Sequence, residues 1–319
     1  MGEWWSYEKT TYPSIDRFVG HVQLKGLRER TVEAYVAMVR LLSQWCAGDP
    51  AELDEERVRE YFLHLVREKG LAPQTVRQAR AALTAYYVEM LERKEWRVFS
   101  SVKTKDKQKL PVVLTREEVR QLLGAVEEDR FAVPLRLIYL CGLRLSEALH
   151  LEVGDIDRQR LRLHVRDGKG GKDRYVPLPQ AALDMLAEHW KTHRHPRYLF
   201  PAMGHAWRTT ERRDPVEEAR AQQERRKQAT HPMSTSGMQR VFLLAVRGSS
   251  LNKKATIHTL RHSYATHLLE EGVSLRYVSA YLGHSSLDQT LVYAHLTEVS
   301  EEQTQRATSR LAAALTGGA

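Results

Sequence analysis

Apolar residues recur at three- and four-residue intervals along most of this chain, the repeat of a helix face turned toward a core. Ile15, Phe18, Val19 and Val22 predict a first helix. Val32, Tyr35, Val36, Val39, Leu42 and Trp45 predict a second, opening at Thr31. A third carries Val58, Tyr61, Phe62 and Leu65, with Asp54 as its cap and Gly70 as its stop. Pro73 falls in the first turn of a fourth, where Val76, Ala79, Ala82, Leu83, Tyr86, Tyr87 and Met90 share the stripe. The pattern thus predicts a bundle of four helices between about Ser14 and Arg93.

The stripe stops at residues 101–110, SVKTKDKQKL, a polar linker that cannot bury a core. Beyond it Thr115 and Glu118 have the spacing of a capping box, and helices are predicted over Arg116–Ala125 and Phe131–Tyr139. The segment LRLHVRDGKGGKDRYVPL changes period. It alternates apolar and polar residues on both sides of a glycine-rich turn, which predicts a β-hairpin with Lys169 at its tip. Ala181–Trp190 returns to helical spacing, and YLFP reads as a short strand or turn. Residues 204–235 are charged and poor in apolar side chains, and read as a surface insertion, partly helical, mobile or ordered on a partner. Helical spacing resumes over Met238–Ala245. A last helix over Val299–Leu315 has a narrow stripe of Ala307, Leu311 and Leu315. The fold class is mainly α with a small antiparallel β-sheet. A helical N-terminal domain spans 1–100, a basic linker 101–111 and a second, α+β domain 112–319.

Composition narrows the partners. The 319 residues carry a net charge of +9, which favours a polyanion such as nucleic acid. Lys103, Lys105, Lys107 and Lys109 load the linker with positive charge, and Arg28, Arg30, Arg77 and Arg80 are candidate phosphate contacts on the bundle. Cys46 and Cys141 lie within apolar helical patterns and read as buried free thiols of a reducing cytosol. No secretory signal and no stretch of transmembrane length is expected, so the chain is expected in the cytoplasm without a membrane partner.

The candidate chemistry gathers in TIHTLRHSYATHLLEEGVSLRYVSAYLGHSSLDQTLVYAHL, residues 256–296. Breaking a phosphodiester without a metal needs a nucleophile, cations around the phosphorane oxygens and an acid for the leaving oxygen. Tyr293 supplies the first. Arg144, Arg261, His258 and His284 are candidates for the second, and Lys169 for the third. His258 and His262 also have the four-residue spacing of a two-histidine metal site. No Glu follows the first His, no third ligand is placed and Arg261 would repel a cation, so neither metal nor cofactor is expected. His262 and His267 read instead as structural, bonding backbone or DNA.

GLRLSEAL, GKGGKDRYVPL, HTLRHSYATHLL, LGHSS and Tyr293, nine residues beyond His284, stand in the order of a known set. The chain resembles the tyrosine recombinase (phage integrase) family, especially its Xer-like branch, from Leu114 to about Leu296. The bundle and linker resemble that family's core-binding domain and hinge. The resemblance implies that Arg144 and Arg261 clamp the scissile phosphate and that His258 accepts a proton near the nucleophile. It implies that His284 hydrogen-bonds a phosphate oxygen, Lys169 protonates the 5′ oxygen, with Lys172 as rival, and Tyr293 forms a 3′-phosphotyrosyl link. Glu147, one turn after Arg144, is implied to orient the cations. Activity would be site-specific cleavage and rejoining of double-stranded DNA by a homo-tetramer through a Holliday junction, without metal or ATP. A type IB-like topoisomerase, or a DNA-binding protein using the fold without catalysis, are the competing readings.

Overall fold

The computed structural model describes residues 12–104, 110–168, 171–203, 214–284 and 286–294. The predicted tail helix, Lys105, Lys107, Lys109 and the hairpin-tip Lys169 lie outside them. The chain divides into two compact units, residues 1–109 and 110–319.

In the first unit, α1 (Pro13–Leu24) buries Ile15, Phe18 and Val22, with Pro13 in its first turn. The second helix, α2 (Glu29–Cys46), begins two residues before Thr31 and turns Val32, Val36, Val39 and Leu42 inward. Asp54 caps α3 (Glu55–Leu63) by accepting a hydrogen bond from the Arg57 amide at 2.8 Å. Wider turns over His64–Glu68 carry the chain on to Gly70, whose φ of +56° ends the segment. The helix α4 (Pro73–Thr84) likewise widens over Ala85–Met90. Ala85, Tyr86 and Tyr87 at its start are all buried. A short α5 (Val98–Ser101), absent from the sequence reading, buries Val98 and Phe99. Cys46 is only half-buried, whereas Cys141 in the second unit is fully buried.

In the second unit, Thr115 and Glu118 close the predicted capping box at the start of α6 (Arg116–Gly124). The helix α7 (Asp129–Cys141) ends at Gly142, φ +61°. Gly142 is required there twice over: a side chain would strain that backbone, and a Cβ would lie 2.4 Å from the Tyr264 ring. Next come α8 (Leu145–Leu149) and a three-stranded antiparallel sheet, β1 (Ile156–Asp157), β2 (Arg162–Val165) and β3 (Arg174–Pro177), in that order. Leu163 faces Val176 across the hairpin, and both are buried. Strand β1 was not legible in the alternation, being two residues long. The remaining helices are α9 (Gln180–Lys191), α10 (Pro215–Lys227), α11 (Thr235–Gly248), α12 (Ile257–Glu270), α13 (Leu275–Leu282) and α14 (Asp288–Ala294).

The charged segment before α11 is more structured than a loose insertion. It holds α10, and its C-terminal end is tied to the core: the Met233 amide donates to the Phe200 carbonyl at 2.8 Å, and His195 Nε2 donates to the Ala229 carbonyl at 2.9 Å. These bonds need His195 and Phe200, about thirty residues away in the chain, as partners, so they are invisible to a local reading.

Candidate active site

Helical periodicity places His258, Arg261 and His262 together on α12. Arg261 is 1 % exposed, and its guanidinium donates to the carbonyls of Gly142, at 2.7 Å, and Leu282. Both acceptors belong to helix C-termini, those of α7 and α13, where carbonyls lack intrahelical partners and the dipole is negative. The arginine therefore satisfies two helix ends that would otherwise be buried unpaired.

Beside it, Glu147 is the hub of the cationic cluster. Its carboxylate accepts from the Arg144 amide at 2.8 Å and from the Arg144 guanidinium at 2.6 Å. Arg174 donates to it through both terminal nitrogens, at 2.9 and 2.7 Å, and Arg261 lies 3.7 Å away. Arg174 also donates from Nε to the Tyr281 carbonyl at 2.8 Å. Burial would raise the Glu147 pKa, but Arg174 and then Arg144 hold it down at about 2. Burial and Arg144 lower that of Arg261 to about 9, which leaves it protonated at neutral pH. Three guanidinium groups less one carboxylate (3 − 1) give the cluster a charge of +2.

Tyr293 on α14 is 3 % exposed, and its hydroxyl is hydrogen-bonded to His262 Nδ1 at 2.7 Å. Burial raises its pKa, opposed by Arg261 and Arg144. His262 packs edge-on against His258, ring centroids 4.5 Å apart. Burial, reinforced by His258, Arg261 and His284, lowers its pKa to about 4, so the imidazole is neutral at pH 7. His284 bonds the hydroxyl of the fully buried Thr290 at 2.8 Å, and its ring is roughly parallel to that of Tyr293 at 6.2 Å. His258 is exposed at the first turn of α12.

Two family models match the chain, one described as the phage integrase family over residues 112–299, the other as the phage integrase N-terminal SAM-like domain over 15–96. An integrase/recombinase of Escherichia coli is 34% identical over 298 residues, 85% of this chain and 85% of that protein. The tyrosine recombinase XerA of Thermococcus kodakarensis is 33% identical over 288 residues, 89% of this chain and 90% of its own length. The chain belongs to the phage integrase (tyrosine recombinase) family. It is an enzyme of the tyrosine-type site-specific recombinase class. Its fold is also that of a lambda integrase tetramer solved on a Holliday junction, at a TM-score of 0.64 and 18% identity, over 86% of this chain and 76% of that one.

Of the residues that the family motifs point to, the fold brings Arg144, Glu147, His258, Arg261, His284 and Tyr293 into one neighbourhood of this recombinase. Lys172, exposed just before β3, is not bound into that cluster. In the N-terminal unit Arg28 and Arg30 are exposed at the start of α2, and Lys103 is exposed after α5. Arg77 and Arg80 are half-buried on α4, and Arg80 spends a donor on the Val102 carbonyl at 3.1 Å, so part of its role is to hold that unit together. Among the described residues no group of three or more His, Cys, Asp or Glu side chains is arranged to hold a metal, and no helix is long and apolar enough to cross a membrane.

Three contacts were not foreseen from the sequence. Arg174 stood inside the quoted GKGGKDRYVPL motif without a role. Its signal was register: it shares a strand face with buried Val176, a position where an arginine must find a carboxylate. His262 was read as bonding backbone or DNA, whereas its ring meets the Tyr293 hydroxyl. His267, read the same way, bonds the Tyr139 hydroxyl at 2.9 Å.

Proposed function

We propose that this recombinase cleaves and rejoins DNA through a 3′-phosphotyrosyl link at Tyr293, without metal or ATP. The observation that carries this reading is the +2 cluster of Arg144, Arg174 and Arg261 around Glu147, bearing on the same buried tyrosine that bonds the α12 histidine. A phosphodiester carries one negative charge, and a pentacoordinate phosphorane approaches two. A fixed cluster of excess positive charge therefore favours the transition state over the ground state.

Arg144 and Arg261 clamp the nonbridging oxygens, with Glu147 and Arg174 fixing their place. His284 and the exposed His258 face the phosphate, and Lys169 protonates the departing 5′ oxygen. The N-terminal helical unit, through Arg28, Arg30, Arg77 and Arg80, and the lysines of the linker grip the duplex backbone. Strands are exchanged between two double-stranded sites by a homo-tetramer through a Holliday junction. The family membership and the lambda integrase tetramer solved on such a junction support this assembly.

Tyr293→Phe tests the reading on a nicked suicide substrate. Site binding by gel shift stays near normal and no covalent adduct forms. An SDS-resistant adduct from this variant would move the nucleophile to Tyr281 or Tyr277.

A further inference from the structure

The turn that carries His284 ends α13 and leaves two carbonyls over. The Gly283 amide donates to the Ala280 carbonyl and the His284 amide to that of Ser279, each at 3.1 Å, with Gly283 in the left-handed region at φ +63°. The carbonyls of Tyr281 and Leu282 are the two that this turn cannot satisfy from its own amides. Arg174 takes the first through Nε, at 2.8 Å, and Arg261 takes the second. The same two guanidinium groups meet Glu147, which also holds Arg144. We propose that Arg174 is a positioning residue for His284: it fastens the turn bearing that histidine to the carboxylate that orients the clamp, so that His284, Arg144 and Arg261 reach one phosphate as a unit. This role rests on the reading of His284 as a phosphate contact, and it is additional to the hold of Arg174 on the clamp itself.

The direction of every bond involved is fixed. A guanidinium only donates, and a carbonyl or an ionised carboxylate only accepts. Glu147, held at about 2, is ionised at neutral pH. The arginine also has little freedom. Its side chain is 9 % exposed, and Nη1 and Nη2 lie 2.9 and 2.7 Å from the two oxygens of Glu147. A two-pronged pairing sets the plane of the guanidinium, and with it the direction in which Nε points. The turn is shaped around this side chain: a Cβ on Gly283 would lie 3.0 Å from Arg174 Cδ and 3.2 Å from Nε.

Anchoring α13 does not by itself require Arg174, because Arg261 already holds Leu282. A single contact fixes the place of a helix end and leaves it free to rotate. Two neighbouring carbonyls held from one carboxylate fix its rotation as well, and rotation of this turn swings His284, three residues after Tyr281. A shift of about 1 Å at a reacting centre costs on the order of 100-fold in rate, so such a contact acts on the chemistry without touching the substrate.

The test is a double-mutant cycle in single-turnover adduct formation on the nicked substrate, with protein in excess over DNA. Arg174→Lys keeps a positive charge opposite Glu147 but lacks the fork that also spans the Tyr281 carbonyl. The variant binds site DNA within about threefold of the unsubstituted chain and cleaves roughly 10- to 100-fold more slowly. His284→Ala cleaves roughly 100-fold more slowly. The double variant is within about threefold of the slower single variant, because Arg174 acts through an imidazole that is already gone. A merely structural loss would multiply the two factors instead. Should Arg174→Lys prevent folding, Gly283→Ala disturbs the same contact from the side of the turn and enters the same cycle. Losses that multiply in a folded double variant would overturn the proposal and leave His284 as a phosphate contact. Cleavage by folded Arg174→Lys within about threefold of the unsubstituted chain would overturn it too. Full-rate cleavage by His284→Ala would remove the phosphate contact itself, and the proposal with it.

Discussion

Two sets of buried tyrosines sit in the two units of this chain, and they end differently. In the N-terminal core the Tyr86 hydroxyl donates to Ser14 Oγ at 2.7 Å, and the Tyr87 hydroxyl donates to the Pro50 carbonyl at 2.6 Å. Burial pushes the Tyr86 pKa up to about 12 and raises that of Tyr87 further. Neither partner can take a proton at neutral pH. Those hydroxyls are satisfied and inert, and the rings do the work of packing. Tyr293 is nearly as buried, and its pKa is also raised by burial. Its partner is a neutral imidazole, and the charges opposing the rise are Arg261 and Arg144. Burial alone therefore does not separate a structural tyrosine from the proposed nucleophile. What the hydroxyl is bonded to, and which charges surround it, does.

The sharpest way to break this comparison is to remove one oxygen from each set. Tyr293→Phe abolishes covalent adduct formation while leaving the melting temperature close to that of the unsubstituted chain. Tyr87→Phe leaves adduct formation intact and costs about 1–3 kcal/mol of stability, because the buried Pro50 carbonyl loses its donor. Chemical denaturation and gel-resolved adduct assays read the two effects separately.

Next in size is the cluster that makes Tyr293 different. Glu147→Gln leaves Arg174 and Arg261 with uncompensated buried charge and destabilises the second unit by roughly 3–5 kcal/mol. Adduct formation falls with it, and denaturation followed by an N-terminal tryptophan such as Trp96 shows the first unit unchanged. A smaller loss follows from Gly142→Ala. Its Cβ meets the Tyr264 ring and its φ is positive, so about 1–3 kcal/mol is lost, and the carbonyl that holds Arg261 is displaced. Thermal melts and cleavage rates decline together in that variant.

The most gradual effect is on pH. His189, His193 and His262 are each held near a pKa of about 4 by burial first, below the 6.5 of an unfolded histidine. Between those values the unfolded chain binds protons that the folded chain does not, so stability is full above pH 6.5 and falls as pH drops toward 4. Glu147, held at about 2 against 4.5 unfolded, extends the loss below pH 4.5. The melting temperature of the second unit should decline across this range, and His189→Leu should flatten the upper part. An unchanged slope in that variant would show that His189 is not among the groups responsible.

Much of this was legible in the residues. The apolar stripes locate the first four helices to within a few positions, because their core-facing sides repeat at helical spacing. The capping box at Thr115 is local chemistry, and local chemistry survives in sequence. The spaced motifs from Gly142 to Tyr293 name the residues that the fold gathers. What escaped depends on partners distant in the chain. Arg174 takes its meaning from Glu147, 27 residues away, and His262 from Tyr293, 31 residues away. The end of the charged segment is fixed by Phe200, and the widened turn over Ala85–Met90 leaves no mark in the apolar spacing. Periodicity describes which face turns inward, but not what it finds there.

The two carbonyls under Arg261 have an evolutionary consequence. The side chain proposed to clamp the phosphate also closes the ends of α7 and α13, so selection for folding alone would keep it. A descendant of this chain that had abandoned strand cleavage, keeping only its grip on DNA, would still carry that arginine. Tyr293 has no such second duty to a helix end, and its phenylalanine form fits the same space. Loss of chemistry in such a lineage would be written first at position 293, and Arg261 would be a poor witness to it.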